Sequence, residues 1–212
     1  MSARILHIGL GSLGKKVVLD LVYQGVFTLA GVVDPLPSLK GKKLNEFIGG
    51  APELPIQDSL QSLPDLQAYD LAIVTTRSDL RDCADTFRTL LNAGCSVVST
   101  CEELVYPRLR HPDLANELHE LAVQNDAVLF GVGINPGFLM DAFPLFASAL
   151  CRSIRAVRVE RIQDASTRRI PFQKKIGAKH AFQANLEMDY VDKNCFSHHT
   201  PLAVPAKTFL SQ

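Results

Sequence analysis

The amino-acid sequence predicts an α/β fold in which a doubly wound parallel sheet is flanked by helices. The first observation is an alternation: short apolar runs are separated by segments with helical apolar spacing through residues 1–137. The second is the glycine pattern Gly9-x-Gly11-x-x-Gly14, which directly follows the first apolar run. A turn of this kind joins the first strand of a nucleotide-binding domain to its first helix.

Each residue of the glycine turn meets a physical requirement of such a site. Gly9 allows the tight strand-to-helix turn, Gly11 lets the backbone approach a pyrophosphate, and Gly14 lets the helix pack on the strand. The backbone amides at the helix start, including those of Ser12 and Leu13, then face the phosphates. The pattern therefore predicts a Rossmann-type dinucleotide-binding turn; a plain glycine-rich turn is the alternative.

The end of the second predicted strand offers a partner for the adenosine ribose. Asp34 lies twenty residues beyond Gly14, where a carboxylate can accept hydrogen bonds from ribose hydroxyls and disfavours a 2′-phosphate. NAD is therefore the first preference. Lys40, Lys42 and Lys43 follow closely and could accommodate NADP instead, and Asp34 could simply cap the next turn.

The other elements follow from the same alternation. Strands are predicted over residues 5–8, 27–34, 70–75, 96–100 and 127–133, with a minor strand near Ile56, and helices over 80–92 and 113–124. Residues 1–137 then form the dinucleotide-binding domain. A helix over 138–150 and a half-exposed strand over 154–162 would open a second, α+β domain covering 138–177, followed by a tail over 178–212.

Ligands of such sheets sit beyond the carboxyl ends of the strands, so the residues there are candidate contacts. Glu102 and Glu103 follow the predicted 96–100 strand, where a carboxylate can bind a cationic substrate or relay protons; alternatively they begin an exposed loop. Cys101 has no evident His partner and is interpreted as a buried small residue. The predicted cofactor contacts at these ends are Thr75, Thr76, Arg77, Thr100, Asn135, Pro136 and Gly137.

Composition excludes several function classes. Lys+Arg and Asp+Glu number 22 each, so the basic footprint expected of nucleic-acid or anionic-membrane binding is missing. No apolar run approaches membrane-spanning length, and the N-terminus lacks a signal-peptide pattern. Five cysteines without a C-x-x-C pair fit reduced thiols in the cytoplasm, and the histidines lack metal-ligand spacing, so we expect no metal.

Three runs carry a more specific resemblance. Residues 99–104 (STCEEL), 131–141 (GVGINPGFLMD) and 164–169 (DASTRR) resemble 2,4-diaminopentanoate dehydrogenase and its amine dehydrogenase relatives, within the dihydrodipicolinate-reductase-like group. With the glycine turn and Asp34, the likeness extends over residues 4–177. A dihydrodipicolinate-reductase-like reductase is a poorer match, because the family's K-x-D-x-P-S-G-T-A loop does not follow His198-His199.

The resemblance implies an NAD(P)-dependent oxidoreductase that acts on a small-molecule amine or amino acid. Hydride would leave a carbon bearing an amine and ammonia would be released to give a ketone, or the reverse reductive amination would occur. Glu102 matches the family's acidic residue beside the nicotinamide, which engages the substrate nitrogen, and Glu103 is held in reserve. The resemblance also favours a homodimer built through the second domain.

The family pattern stops after Gly177, so we expect a truncated or alternatively terminated chain with a non-homologous tail. Hydride transfer needs a closed site that positions both reactants and excludes water. A nucleotide-binding module without turnover is therefore the second hypothesis. A structural protein with an incidental fold is the third.

Overall fold

The computed structural model describes residues 2–159, which contain a parallel sheet with strand order β3-β2-β1-β4-β5-β6. Every pairing in this sheet is parallel. The strands are β1 (Arg4–Ile8), β2 (Thr28–Val33), β3 (Ile56–Gln57), β4 (Leu71–Val74), β5 (Ser96–Ser99) and β6 (Leu129–Gly131). The predicted doubly wound parallel sheet is confirmed, including the minor strand at Ile56.

Three helices connect these strands: α1 (Ser12–Gln24), α2 (Leu80–Asn92) and α3 (Pro112–Gln124). Helix α2 begins after Asp79, whose carboxylate accepts the Arg81 N–H at 2.8 Å, as expected of an N-cap. Its apolar residues recur every three or four positions and are buried: Leu80, Cys83, Ala84, Phe87, Leu90 and Leu91. Within residues 2–159 no helix has the length and apolar character needed to cross a bilayer.

Strand β1 contributes to two separate buried clusters, because successive strand side chains point to opposite faces of a sheet. Leu6 and Ile8 belong to the cluster that contains the α2 and α3 residues. Ile5 belongs to the cluster formed with α1, β2 and the segment 39–56. Burial of both faces explains why this strand is a continuous apolar run interrupted only by His7.

The chain divides into a first unit, Met1–Gly133, and a second unit, Ile134–Gln212. The described part of the second unit contains a π-helical segment, Phe138–Ala142, followed by α4 (Phe143–Ser148), where a helix was predicted. The predicted strand over 154–162 is wrong for its described part, because residues 154–159 form no strand. Alternation alone does not make a strand: a paired neighbour is also required, and residues 134–159 contain none. Residues 160–212, including the predicted tail, lie outside the described residues.

Candidate functional site

The predicted contacts of the first unit meet at one edge of the sheet, where the strand order changes direction around β1. Since all strands are parallel, their carboxyl ends lie along the same edge, and ligands of open α/β sheets bind there. The glycine turn follows β1, Asp34 follows β2, and Glu102 lies three residues beyond the end of β5. Thr75, Thr76 and Arg77 follow β4 directly, and Thr100 follows β5.

Packing within the turn requires glycine at two positions. Gly9 has φ +97°, a left-handed conformation that L side chains rarely adopt. A Cβ on Gly14 would lie 1.8 Å from the Gly9 carbonyl oxygen, so β1 and α1 could not approach as they do. A Cβ on Gly11 would meet nothing within 4 Å among the described residues. Backbone conformation therefore explains Gly9 and close packing explains Gly14, whereas the predicted reason for Gly11, contact with a pyrophosphate, stays a prediction.

The N-terminus of α1 is suited to an anionic group. Its N-cap is Gly11, which has no side chain to accept the first-turn N–H groups, and the first turn carries no acidic residue. Ser12 and Leu13 are exposed at this end of the helix. The positive end of the helix dipole and the first-turn amides thus form the kind of site that binds phosphate in nucleotide-binding folds.

The Asp34 carboxylate accepts hydrogen bonds from two backbone N–H groups near the glycine turn. Its Oδ2 accepts the Leu10 N–H at 2.6 Å and its Oδ1 accepts the Leu36 N–H at 2.9 Å, and the residue is 9% exposed. The hydrogen bond from Leu36 corresponds to the turn-capping role that the sequence offered as the alternative. Because each carboxylate oxygen has a second lone pair, the group retains capacity for ribose hydroxyls. The ribose role stays a prediction, and the structure adds that Asp34 orders the glycine turn.

The Gly9 carbonyl oxygen has two donors beneath the turn. The Thr75 hydroxyl donates to it at 2.8 Å, and Nε2 of His7 lies 2.9 Å away. His7 is fully buried on β1, and this burial lowers its pKa from 6.5 to about 4, so it is neutral at physiological pH. His7 was not predicted as a site residue; the signal available in the sequence was a single histidine within an apolar strand.

Two of the three lysines that could have favoured NADP are paired with acidic residues. Lys40 forms an ion pair with Asp58, and Lys43 forms one with Glu53. The Nζ of Lys42 lies 5.4 Å from the centroid of the Phe47 ring, within the range of a cation–π contact.

The structure gives the adjacent glutamates Glu102 and Glu103 different environments. Oε2 of Glu103 accepts the Leu80 N–H and contacts Nε2 of His111, each at 2.9 Å, and its Oε1 accepts from Arg110 at 2.7 Å. Burial raises the pKa of Glu103, but these three donors outweigh it, so the pKa lies below its usual range. Glu103 therefore fastens the starts of α2 and α3. Glu102 is half-buried at the beginning of a short 3-10 helix.

Asp79, Glu103 and His111 place potential metal-ligating atoms within 4.8 Å of one another. Both Glu103 oxygens, however, accept hydrogen bonds, and the Arg110 guanidinium brings a positive charge against one of them. These three side chains lie close together because they form hydrogen bonds at the starts of α2 and α3.

Cys101 is buried, and its thiol donates to the Ser78 carbonyl oxygen at 3.2 Å. A hydrogen bond with Cys83, together with burial, raises the pKa of Cys101, so the thiol stays protonated and is a poor nucleophile. This environment agrees with its interpretation as a small buried residue.

Asn135, Pro136 and Gly137 lie in the second unit. The Asn135–Pro136 peptide is cis, and the Gly137 N–H donates to Oδ2 of Asp141 at 2.7 Å. Their predicted contact with a cofactor stays a prediction.

Comparison with known proteins supports the resemblance carried by the sequence motifs. The chain is 26% identical over 166 residues to 2,4-diaminopentanoate dehydrogenase of Acetoanaerobium sticklandii, an alignment that covers 77% of this chain and 47% of that protein. The chain thus spans about half the length of the curated relative that it matches. No protein-family model matches the chain.

Among solved structures, the chain is similar to an amine dehydrogenase from Mycobacterium smegmatis. The TM-score is 0.61 at 23% identity, over 76% of this chain and 46% of that chain. This likeness establishes the fold. The curated relative confirms the resemblance to 2,4-diaminopentanoate dehydrogenase. The substrate class and the homodimer stay predictions.

Proposed function

We propose that this chain binds NAD(H) at the glycine turn and belongs to an oxidoreductase that acts on a carbon bearing an amine. The observation that carries the proposal is the arrangement at the carboxyl edge of the sheet. There the N-terminus of α1 with its glycine N-cap, the Asp34 carboxylate and the segment bearing Glu102 follow β1, β2 and β5, which are parallel strands of one sheet. The similarity to a 2,4-diaminopentanoate dehydrogenase supports amine chemistry at that edge.

The residues of the chain suggest how the work is divided. The first-turn amides of α1 would hold the pyrophosphate, and Asp34 the adenosine ribose. When bound, the nicotinamide supplies a hydride acceptor. Glu102 would pair with the substrate ammonium and take one proton from it, so that hydride leaves the neutral amine and gives an iminium. Once that proton has passed to solvent, the carboxylate would stabilise the iminium and take a proton from the water that adds to it. Loss of ammonia then leaves a ketone.

We further propose that NAD(H) is preferred over NADP(H). A 2′-phosphate placed near Asp34 would face a carboxylate that the fold holds in position through Leu10 and Leu36. Lys40 and Lys43 have acidic partners that reduce their value as phosphate ligands. Equilibrium titration should therefore give an NADH Kd at least tenfold below that of NADPH, a difference of about 1.4 kcal/mol. Equal or tighter binding of NADPH would overturn this preference.

Turnover is tested by following NADH formation with 2,4-diaminopentanoate and with simple amines, on the same protein used for titration. The Glu102→Gln variant should lose activity and keep its NADH affinity, because the amide cannot accept a proton or balance an ammonium charge. Glu120→Gln, an exposed position on α3, is the matched control and should leave both quantities unchanged. Normal rates in Glu102→Gln would remove this residue from the chemistry. NADH binding without turnover of any amine would favour a binding module.

A further inference from the structure

We infer that His7 is a positioning residue for cofactor binding, which acts by fixing the orientation of the Gly9–Leu10 peptide in the glycine turn. The inference rests on the proposed binding of a dinucleotide at this turn. It goes beyond that proposal by assigning a role to a buried side chain that makes no direct contact with the ligand.

The Gly9–Leu10 peptide is held at both ends. Its carbonyl oxygen accepts from the Thr75 hydroxyl at 2.8 Å and lies 2.9 Å from Nε2 of His7. Its N–H donates to Oδ2 of Asp34 at 2.6 Å. The three partners come from β1 and from the ends of β2 and β4, so rotation of this one peptide would break hydrogen bonds to three parts of the sheet.

The chemistry of the contact fixes the form of the histidine. A carbonyl oxygen only accepts hydrogen bonds, so Nε2 must carry the proton and Nδ1 must be bare. Among residues 2–159, Nδ1 has no hydrogen-bond partner although it is buried. A buried acceptor without a partner is unfavourable, and an apolar side chain such as those of Leu6 and Ile8 would avoid that penalty. Packing alone therefore does not account for a histidine here, whereas donation to Gly9 does.

The peptide needs such support because glycine leaves it loose. Gly9 sits at φ +97° without a Cβ to restrict rotation. Its carbonyl oxygen now lies beneath the first turn of α1, so close that a Cβ on Gly14 would come within 1.8 Å of it. If the peptide rotated, this partly negative oxygen would turn towards the amides that receive the phosphates. His7 keeps the oxygen on the strand side and the anion site positive.

Three substitutions at one position test the role. His7→Leu and His7→Asn both remove the donor at the Nε2 position, one with an apolar and one with a polar side chain. His7→Gln places an amide N–H at nearly the same distance from the backbone as Nε2. Val97→Ala, a buried position on β5, serves as a control for general destabilisation. Each variant is titrated with NADH at a temperature where circular dichroism shows it folded.

We expect His7→Leu and His7→Asn to weaken NADH binding about three- to tenfold, the worth of one net hydrogen bond. His7→Gln should stay within about twofold, and Val97→Ala should lower the Tm without changing the Kd. Faster amide hydrogen exchange at Leu10 in free His7→Leu, with recovery in His7→Gln, would support the peptide mechanism independently of the ligand.

Unchanged NADH affinity in both His7→Leu and His7→Asn would overturn the inference, as would equal losses in His7→Gln and in His7→Asn. If His7→Leu fails to fold, the comparison of Asn with Gln decides the matter. Failure of the unsubstituted protein to bind either NADH or NADPH is a separate result. It would refute the proposed function, and the inference about His7 would fall with it.

Discussion

Substitution of Gly14 by alanine should cost the fold far more than the single methyl group suggests. The added Cβ would lie 1.8 Å from the Gly9 carbonyl oxygen, 2.7 Å from the Thr75 hydroxyl oxygen and 2.9 Å from the Gly9 carbonyl carbon. Ordinary contacts of a Cβ begin near 3.4 Å, so the oxygen and the helix must separate by about 1.6 Å. Two of these three atoms are backbone, so no side-chain rotation relieves the overlap.

The separation would remove the Gly9 oxygen from both of its donors. Each lost hydrogen bond is worth about 0.5–1.5 kcal/mol, and a buried donor left without an acceptor costs about 1–3 kcal/mol. We therefore expect Gly14→Ala to lower the free energy of unfolding by about 3 kcal/mol or more. That is a large share of the roughly 5–15 kcal/mol typical of a native domain.

Urea denaturation followed by circular dichroism measures the loss, with Gly11→Ala as the matched control. A Cβ on Gly11 meets nothing within 4 Å in the part of the chain that the structure describes, and its φ of −61° and ψ of −179° suit alanine. Gly11→Ala should therefore stay within about 0.5 kcal/mol of the unsubstituted protein in stability. If Gly11 is the point of pyrophosphate approach, its NADH Kd should nevertheless rise. A loss below about 1 kcal/mol in Gly14→Ala would refute the packing explanation.

Three further predictions concern buried groups. The pKa of His7 is near 6.5 in the unfolded chain and about 4 in the fold, so its contribution to stability is complete above pH 6.5 and falls as the pH drops towards 4. The total loss in the free energy of unfolding is about 3 kcal/mol. A urea denaturation series between pH 4 and pH 6.5 should show this loss in the unsubstituted protein and not in His7→Gln. Glu103→Gln should lower the free energy of unfolding by about 2 kcal/mol, because the amide cannot replace a carboxylate that accepts from three donors. An equal loss in Glu102→Gln would contradict the different environments of the two residues. Peptide mapping after brief treatment with iodoacetamide should find exposed Cys151 alkylated in the native protein, and early alkylation of the buried thiols would contradict their burial: Cys83, Cys95 and Cys101.

The sheet was predictable because its signal is local. A strand buried on both faces must be apolar along its length, so β1, β4 and β5 stand out as short runs, and the helices between them show their own spacing. The segment 154–162 shows where this reasoning stops. Its alternation predicts one exposed and one covered face, but these residues alone do not indicate whether a neighbouring strand exists to pair with them.

The detailed contacts of the site depend on register rather than on composition, which is why they could not be predicted. Asp34 meets Leu10, 24 positions earlier, only because β1 and β2 pair as they do. The sequence therefore indicated that a carboxylate stands at the edge and left open which groups it binds. Glu103 likewise was the reserve candidate beside Glu102, because its contacts with the starts of α2 and α3 are set by tertiary packing and could not be predicted.

The hydrogen bonds that hold the Gly9–Leu10 peptide also link ligand binding to the order in which the chain folds. Two of the peptide's three partners, Asp34 and Thr75, lie 24 and 66 residues away in the sequence, so no short segment of the chain can form all of these bonds. Such distant pairings form late, because a long loop must be closed before they become favourable. Affinity for the dinucleotide should accordingly appear in a refolding experiment only when β2, β1 and β4 have come together. The cofactor then acts as a reporter of the completed central sheet, and it will not stabilise a partly folded chain that has only the glycine turn and its helix.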